Sequence, residues 1–344
     1  MESELVAEKL RSGAMPTLEM VAAQAGVSRA TVSRVVNGSP KVKADVAATV
    51  QAAIDELNYV PNRAARSLVS RKTQAIALVV PESAAKVFDD PFFAAVVQGV
   101  ALYLADTEYT LTMIIESEKA SHKTRRYLLG GNVDGALVVS HHTGDHSYSE
   151  LSRTLPVVFG GRPLNQVDGN NYFVDVDNFT GACSAVEHLL VSGRRNLATI
   201  AGPQDMPPGV DRLDAFHATL KKHGLASNLV EVGDFSPPSG AEAMRRLLAR
   251  GEPIDGIFAA NDQMAIGAYS AIREAGLSVP GDIAVVGFDD DNYGSTATPP
   301  LTTVRQPSLE MGRRMAEMIV GLIENRPVDT VTTLSTELVI RDSA

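Results

Sequence analysis

The chain has 344 residues, 31 Lys and Arg against 41 Asp and Glu (net charge −10), 44% apolar residues and one cysteine. No run of about 18 apolar residues offers a membrane span, and no apolar segment follows the mixed-charge N-terminus as a secretory signal requires. With Cys183 unable to form an internal disulfide, these features predict a cytoplasmic protein.

Residues 1–16 are polar and mixed in charge, and read as a frayed tail. Two short helical patterns follow within residues 17–38, joined by Ala25-Gly26-Val27-Ser28. Gly26 stands where a helix end needs a left-handed residue, and Ser28 where the next helix needs a side-chain cap. That is the grammar of a helix-turn-helix, whose second helix enters the DNA major groove. At 3.6 residues per turn, Val32, Val35 and Val36 form one apolar stripe on that helix. Ala30, Ser33, Arg34 and Asn37 face the other way, with Arg29 and Thr31 on the flanks. Small, polar and cationic groups suit base edges, and the helix start suits a phosphate. The same pattern also fits an ordinary helical hairpin with a solvated face. A third helix carries Val46, Val50, Ile54 and Leu57 on one stripe. It leads into Leu57-Asn-Tyr-Val-Pro-Asn-Arg-Ala-Ala-Arg-Ser-Leu68.

These residues carry a resemblance. The run Thr17-x-x-x-Val-Ala-x-x-Ala-Gly-Val-Ser-x-x-Thr-Val-Ser-Arg-Val-x-Asn37, with Tyr59-x-Pro-Asn-x-x-Ala-Arg-x-Leu68, resembles the LacI/GalR family of transcription regulators. The resemblance implies that Thr17, Ser28, Arg29, Ala30, Thr31, Ser33, Arg34 and Asn37 approach double-stranded operator DNA. It also implies that 61–72, with Asn62, Arg63 and Arg66, orders as a hinge helix on the operator. There Leu68 would wedge into a minor-groove step, as architectural proteins do. A plain linker with Leu68 docked on the next domain is the other reading. Charge agrees with DNA contact: residues 17–72 carry eight basic and four acidic side chains, so the remainder holds −14 of the net −10.

The roughly 270 residues after the hinge are enough for two subdomains. Strands are predicted at 75–80, 110–115, 135–139, 157–159, 197–201, 256–260 and 284–288. Helical patterns lie between them at 92–104, 180–190, 212–222, 241–248 and 264–274. Such alternation means parallel sheets covered on both faces. The expected fold class is therefore an all-α helix-turn-helix head followed by an α/β body of two doubly wound parallel-sheet lobes. The resemblance implies a periplasmic-binding-protein-like body over 73–344, crossed three times near Val176, Gln306 and Ser335. Lobe 1 would hold 74–175 and 308–334, and lobe 2 would hold 177–305 and 336–341.

Ligands of such sheets bind at the carboxyl ends of the strands. Asp289 follows one strand and suits two vicinal sugar hydroxyls. Asn261 and Asp262 follow another, and Arg212 opens a helix after Ala201-Gly-Pro-Gln-Asp205. Phe235 and Phe93 are candidate stacking rings beside Asp90, and Ser140 and Arg162 follow two strands of the first lobe. Each also has an ordinary use as a loop cap, turn residue or core aromatic. The resemblance implies that such positions hold an effector. The loop Asp205-Met-Pro-Pro-Gly209 has no cation before Arg212, which disfavours an acidic aromatic ligand. Together with Gly160-Gly-Arg-Pro163, the stretch Ala201–Met206 is similar to actinobacterial sugar regulators of the cellobiose type.

The segment His141-His-Thr-Gly-Asp-His146 places three imidazoles and a carboxylate together. It lacks the spaced partner that metal sites have, so a solvated loop or a sugar contact from His141 or His142 is expected before a metal. No phosphate-binding glycine loop, nucleophile elbow or dinucleotide fingerprint appears, so neither an enzyme nor a cofactor is expected. Cys183 reads as a small buried hydrophobe on a helix rather than a redox switch.

The expected protein is a homodimeric repressor on a pseudo-palindromic operator, released when a small neutral sugar changes lobe closure. A glucoside or disaccharide is among the candidates. A co-repressor (purine-like or a phosphoprotein) and an activator role stay open. The stripes Val96, Val100 and Leu104, or Met311, Met315, Met318 and Leu322, fit either a dimer face or a lobe core. The chain stops soon after Leu338-Val-Ile340 with no heptad helix, so a dimer is expected over a tetramer.

Overall fold

Capping chemistry sets the first helices. In the computed structural model, which describes residues 16–60, 72–116, 121–142, 150–163, 171–226 and 228–344, α1 spans Leu18–Ala25 and α2 Arg29–Val36. Thr17 Oγ1 accepts from the Met20 amide at the start of α1 (3.4 Å). Gly26 ends that helix in the left-handed region at φ +64°, its amide reaching the Ala22 and Ala23 carbonyls. Ser28 Oγ then caps α2 by accepting from the Thr31 amide (3.2 Å). The third helix, α3 (Ala44–Leu57), closes the unit. Met20, Val21, Val32, Val50, Ala53, Leu57 and Tyr59 form its core, with Val35 and Val36 packed at its margin. Val21, Val32 and Val50 are fully buried, and each such side chain contributes about 1.5–3 kcal/mol.

The chain divides into two compact units at Thr73 and Gln74. In the second, β1 (Ala75–Val80), α4 (Ala84–Asp89), α5 (Pro91–Leu104), β2 (Thr110–Ile115), α6 (Ser121–Tyr127), β3 (Gly135–Val139), β4 (Val157–Gly160) and β5 (Tyr172–Val176) come first. There follow α7 (Asn178–Val191), β6 (Leu197–Ala201), α8 (Pro207–Lys222), β7 (Val230–Val232), α9 (Pro237–Ala249), β8 (Gly256–Ala259) and α10 (Asp262–Glu274). The last are β9 (Ala284–Asp289), α11 (Asn292–Thr296), β10 (Thr302–Arg305), α12 (Ser308–Ile323), β11 (Val331–Leu334) and β12 (Glu337–Val339).

The strands form two six-stranded sheets, ordered β11-β5-β4-β3-β1-β2 and β12-β10-β9-β8-β6-β7. All pairings are parallel except β10 with β12. Interior strands such as β3 and β8 are buried at every residue, because helices cover both faces and leave no side for water. The body is thus the two-sheet, parallel-dominated α/β fold that strand–helix alternation requires. The chain leaves the first sheet after β5, returns to it after β10, and leaves again between β11 and β12. Helix α12 packs in the first-sheet core through Met311, Met315 and Met318, beside Val96, Val100 and Leu104 of α5. Both candidate dimer stripes therefore serve the lobe core, with Leu322 at its margin.

The structure adds strands that apolar runs did not announce. β10 reads Thr-Thr-Val-Arg, yet Thr302 and Thr303 are fully buried. Their hydroxyls donate to the Arg341 carbonyl (3.1 Å) and to Asp262 Oδ1 (2.5 Å), which removes the cost of burying them. Cys183 is a free, half-buried thiol on α7, packed at the margin of the second-sheet core. No helix among the described residues is long and apolar enough to cross a membrane.

Candidate functional site

In the first unit the exposed side of α2 carries Ser28, Arg29, Ala30, Arg34 and Asn37, with Thr31 and Ser33 half-buried. Arg29 Nε lies 3.1 Å from Glu19 Oε1, both largely exposed, so the pair is weak and easily exchanged for another anion. Arg34 has no side-chain partner among the described residues, which leaves its planar fork available to a guanine edge. Asn37 Nδ2 donates to Ser33 Oγ at 3.4 Å, keeping the polar face together. Thr17 is committed to its capping bond at the α1 start. The expected hinge residues Asn62, Arg63, Arg66 and Leu68 lie outside the described residues, as do the tail at 1–15 and His146.

In the second unit a cavity opens between the two sheets at the carboxyl ends of their strands. Asp90, Phe93, Ser140, Arg212, Phe235, Asn261 and Asp289 all line it. Its floor is a network around Arg212, which is 3% exposed. The guanidinium donates to Asn178 Oδ1 (3.0 Å), the Ala260 carbonyl (2.6 Å) and Gln306 Oε1 (3.3 Å). It also stacks 3.6 Å over the Phe288 ring and lies 3.7 Å from Asp289 Oδ1. Gln306 Nε2 donates to the same Asp289 oxygen (2.9 Å). Burial pushes the Asp289 carboxyl well above the usual range; Arg212 opposes the rise, while Asp262 and Asp90 add to it. Burial likewise raises Asp90 to about 6, against its capping bond from the Phe92 amide (2.9 Å). A donor that reached either carboxyl from within the cavity would favour its charged form.

The walls are apolar and aromatic. Phe93 is buried and meets Phe92 edge-on at 5.4 Å. Phe235 is held at φ +71° while its carbonyl accepts from Asn261 Nδ2 (3.0 Å). A Cβ at Gly202 would come within 2.4 Å of the Phe235 ring, so glycine there makes room for it. Ser140 (φ +64°) and Asp289 (φ +118°) are further lining residues in a backbone region that disfavours side chains. Strain of this kind concentrates at ligand-binding positions.

Two expected effector residues fall outside the lining. Asp262 is fully buried behind it, where Oδ1 accepts from the Thr303 hydroxyl (2.5 Å) and Oδ2 from the Asp291 amide (3.0 Å). It pins the 289–291 turn instead of meeting the cavity. Arg162 turns to Asp211 on α8, with one guanidinium nitrogen 2.8 and 3.0 Å from its two carboxylate oxygens. Conversely, Asn178 and Gln306 line the floor without having been expected there. Both follow strand ends where the chain changes sheets, and that position was the signal for them. His141 also lines the cavity and meets Phe159 edge-on. The described residues contain no cluster of metal-ligating side chains.

Residues 17–62 match the family model described as bacterial regulatory proteins, lacI family, and 186–344 match the periplasmic binding protein-like domain. The chain is 44% identical to the HTH-type transcriptional regulator CelR of Thermobifida fusca over 333 residues, covering 95% of this chain and 98% of that one. The chain belongs to the LacI family. The ribose operon repressor of Escherichia coli K12 is 34% identical to it, covering 90% of this chain and 93% of that protein. Among solved structures, a transcriptional regulator CelR–cellobiose complex aligns with TM-score 0.77 and 42% identity, over 96% of this chain and all of that one. A lac repressor dimer bound to operator and the anti-inducer ONPF aligns with TM-score 0.84 and 29% identity, covering 95% and 98%. Membership places the chain among transcription regulators and not among enzymes.

Proposed function

We propose that the protein is a cytoplasmic, homodimeric repressor of sugar-utilisation genes, released from its operator by a small neutral sugar bound in the interlobe cavity. The carrying observation is the Arg212–Asp289–Gln306–Asn178 floor beneath Phe93 and Phe235. Convergent donors and acceptors under aromatic faces suit a polyol ring, whose edges are polar and whose faces are apolar. Both cations of the lining are already engaged, Lys86 by Glu82 and Arg212 by Asn178, Ala260 and Gln306, so the lining offers no uncommitted cation to an anionic ligand. A β-linked glucose disaccharide is the first candidate, because the similar CelR structure holds cellobiose.

On the DNA side, two recognition helices related by a two-fold axis would read the halves of a pseudo-palindrome, with Arg34 as the base-reading cation. Leu68 would wedge into the minor groove between them. The sugar must bind one closure state more tightly than the other to change operator affinity. Titrating mono- and disaccharides, cellobiose among them, into an operator-shift assay of the full-length protein tests ligand and sign together. Release by a neutral sugar is expected. No effect of any sugar, or a strengthened shift with a purine, overturns the reading.

A further inference from the structure

Among the described residues, two ion pairs cross from the first lobe to the second, and none of their four side chains lines the cavity. After β4, Arg162 reaches Asp211 on α8 at 2.8 Å, both side chains half-buried. After β3, His142 Nδ1 lies 2.8 Å from Asp205 Oδ2 in the turn before α8. Its Nε2 lies 3.3 Å from Glu82, which also accepts from Lys86 Nζ (2.7 Å) and Ser140 Oγ (2.7 Å). Both second-lobe partners thus sit on one short stretch, 205–211. That stretch carries Met206, Pro207 and Pro208 of the cavity wall and leads directly into Arg212.

A chain of hydrogen bonds ties the Arg162 pair to the floor. The Arg162 amide donates to Asp175 Oδ2 (3.0 Å), Asn178 Nδ2 donates to Asp175 Oδ1 (3.2 Å), and Arg212 donates to Asn178 Oδ1. Asp175 and Asn178 flank the segment where the chain passes between sheets. We infer that Arg162–Asp211 and His142–Asp205 are positioning pairs that hold the α8 end against the first lobe and so set the closure of the cavity. They act on ligand affinity without touching the ligand. Lobe opening is governed by a few kcal/mol, so even partly exposed pairs shift it measurably. The inference rests on the cavity being the effector site only for its affinity arm.

The test uses the full-length protein with Arg162→Gln, Asp211→Asn, their double variant, and the charge swap Arg162→Asp/Asp211→Arg. Hydrogen exchange of 155–163 and 204–216 is measured without ligand, and cellobiose affinity by calorimetry. Each neutral single variant should speed exchange in both segments and weaken cellobiose about 10-fold. The neutral double should be no worse than either single, with operator affinity in the absence of sugar changed less than the sugar response. Recovery by the swap adds support. If the singles leave exchange at the wild-type rate, or their effects simply add in the double, the pair does not set closure. If cellobiose fails to bind the wild-type protein, the effector reading falls, while the exchange arm still decides the inference.

Discussion

The DNA-reading helix and the cavity floor solve opposite problems. On α2 most of the candidate groups are exposed, Thr31 and Ser33 being half-buried, and Arg34 carries no side-chain partner among the described residues. In the cavity, Arg212 is buried and each of its three guanidinium nitrogens donates once, to Asn178, Ala260 and Gln306, with Asp289 beside it. A surface that reads DNA keeps its cations solvated until phosphate and bases replace water. A cavity that selects a small ligand needs its polar groups fixed beforehand, since buried groups left unpaired are costly.

Asp289→Ala probes this contrast most strongly. Loss of its charge-assisted bonds should weaken sugar binding by about 3 kcal/mol, roughly 100-fold, and abolish release. Operator affinity measured without sugar should stay unchanged; a parallel loss would mean that the two sites are not separable. Arg34→Ala is the converse experiment. It should cost operator affinity about 1–3 kcal/mol and relax preference at one base position, while calorimetry finds sugar affinity intact.

Proton linkage sharpens the same comparison at smaller amplitude. Sugar hydroxyls that donate to Asp90 or Asp289 favour ionised carboxylates, so binding should release protons. Because Asp90 is raised to about 6, affinity should rise from pH 5 to pH 7, and calorimetry in buffers of different ionisation enthalpy should show the release. His142 titrates in the opposite sense. The Glu82 hydrogen bond is the main cause raising it to about 9, burial opposes, and Asp205 adds to the rise. Its folded value lies above the ordinary 6.5, so the His142–Asp205 contact is complete below that pH and is lost as pH rises through 9. Exchange of 204–216 should therefore quicken between pH 7 and 9.5 beyond the intrinsic rate, and His142→Gln should remove that excess. The smallest expected effect is Thr17→Ala, which removes the α1 cap and should destabilise the head by about 1 kcal/mol in denaturant unfolding.

Legibility in the sequence divides along the same line. The head was readable because its determinants are local: Gly26 and Ser28 act within a turn of where they stand, and the Val21–Val32–Val50 core follows helical periodicity. In the body, long apolar strands such as β1 and β3 announced themselves. β5, β7, β10 and β11 did not, being short or interrupted by polar residues. Thr303 is the example, since only Asp262, 41 positions away, makes its burial tolerable. Seven of the expected effector residues meet in one cavity. Arg162 and Asp262 were indistinguishable from them by residue type and by following a strand.

The sequence by itself therefore determined the helix-turn-helix, the alternation that makes parallel sheets, and the strand ends at which a ligand site must form. Those follow from capping, periodicity and backbone chemistry that act over a few residues. Only the tertiary structure decided which polar side chains face the cavity, which pin the turn behind it and which join the two lobes. Asp289, Asp262 and Asp211 are all carboxylates near strand or helix ends. What separates them is their partners (Arg212 and Gln306, Thr303, and Arg162), and those are brought together by chain crossings that no local pattern encodes.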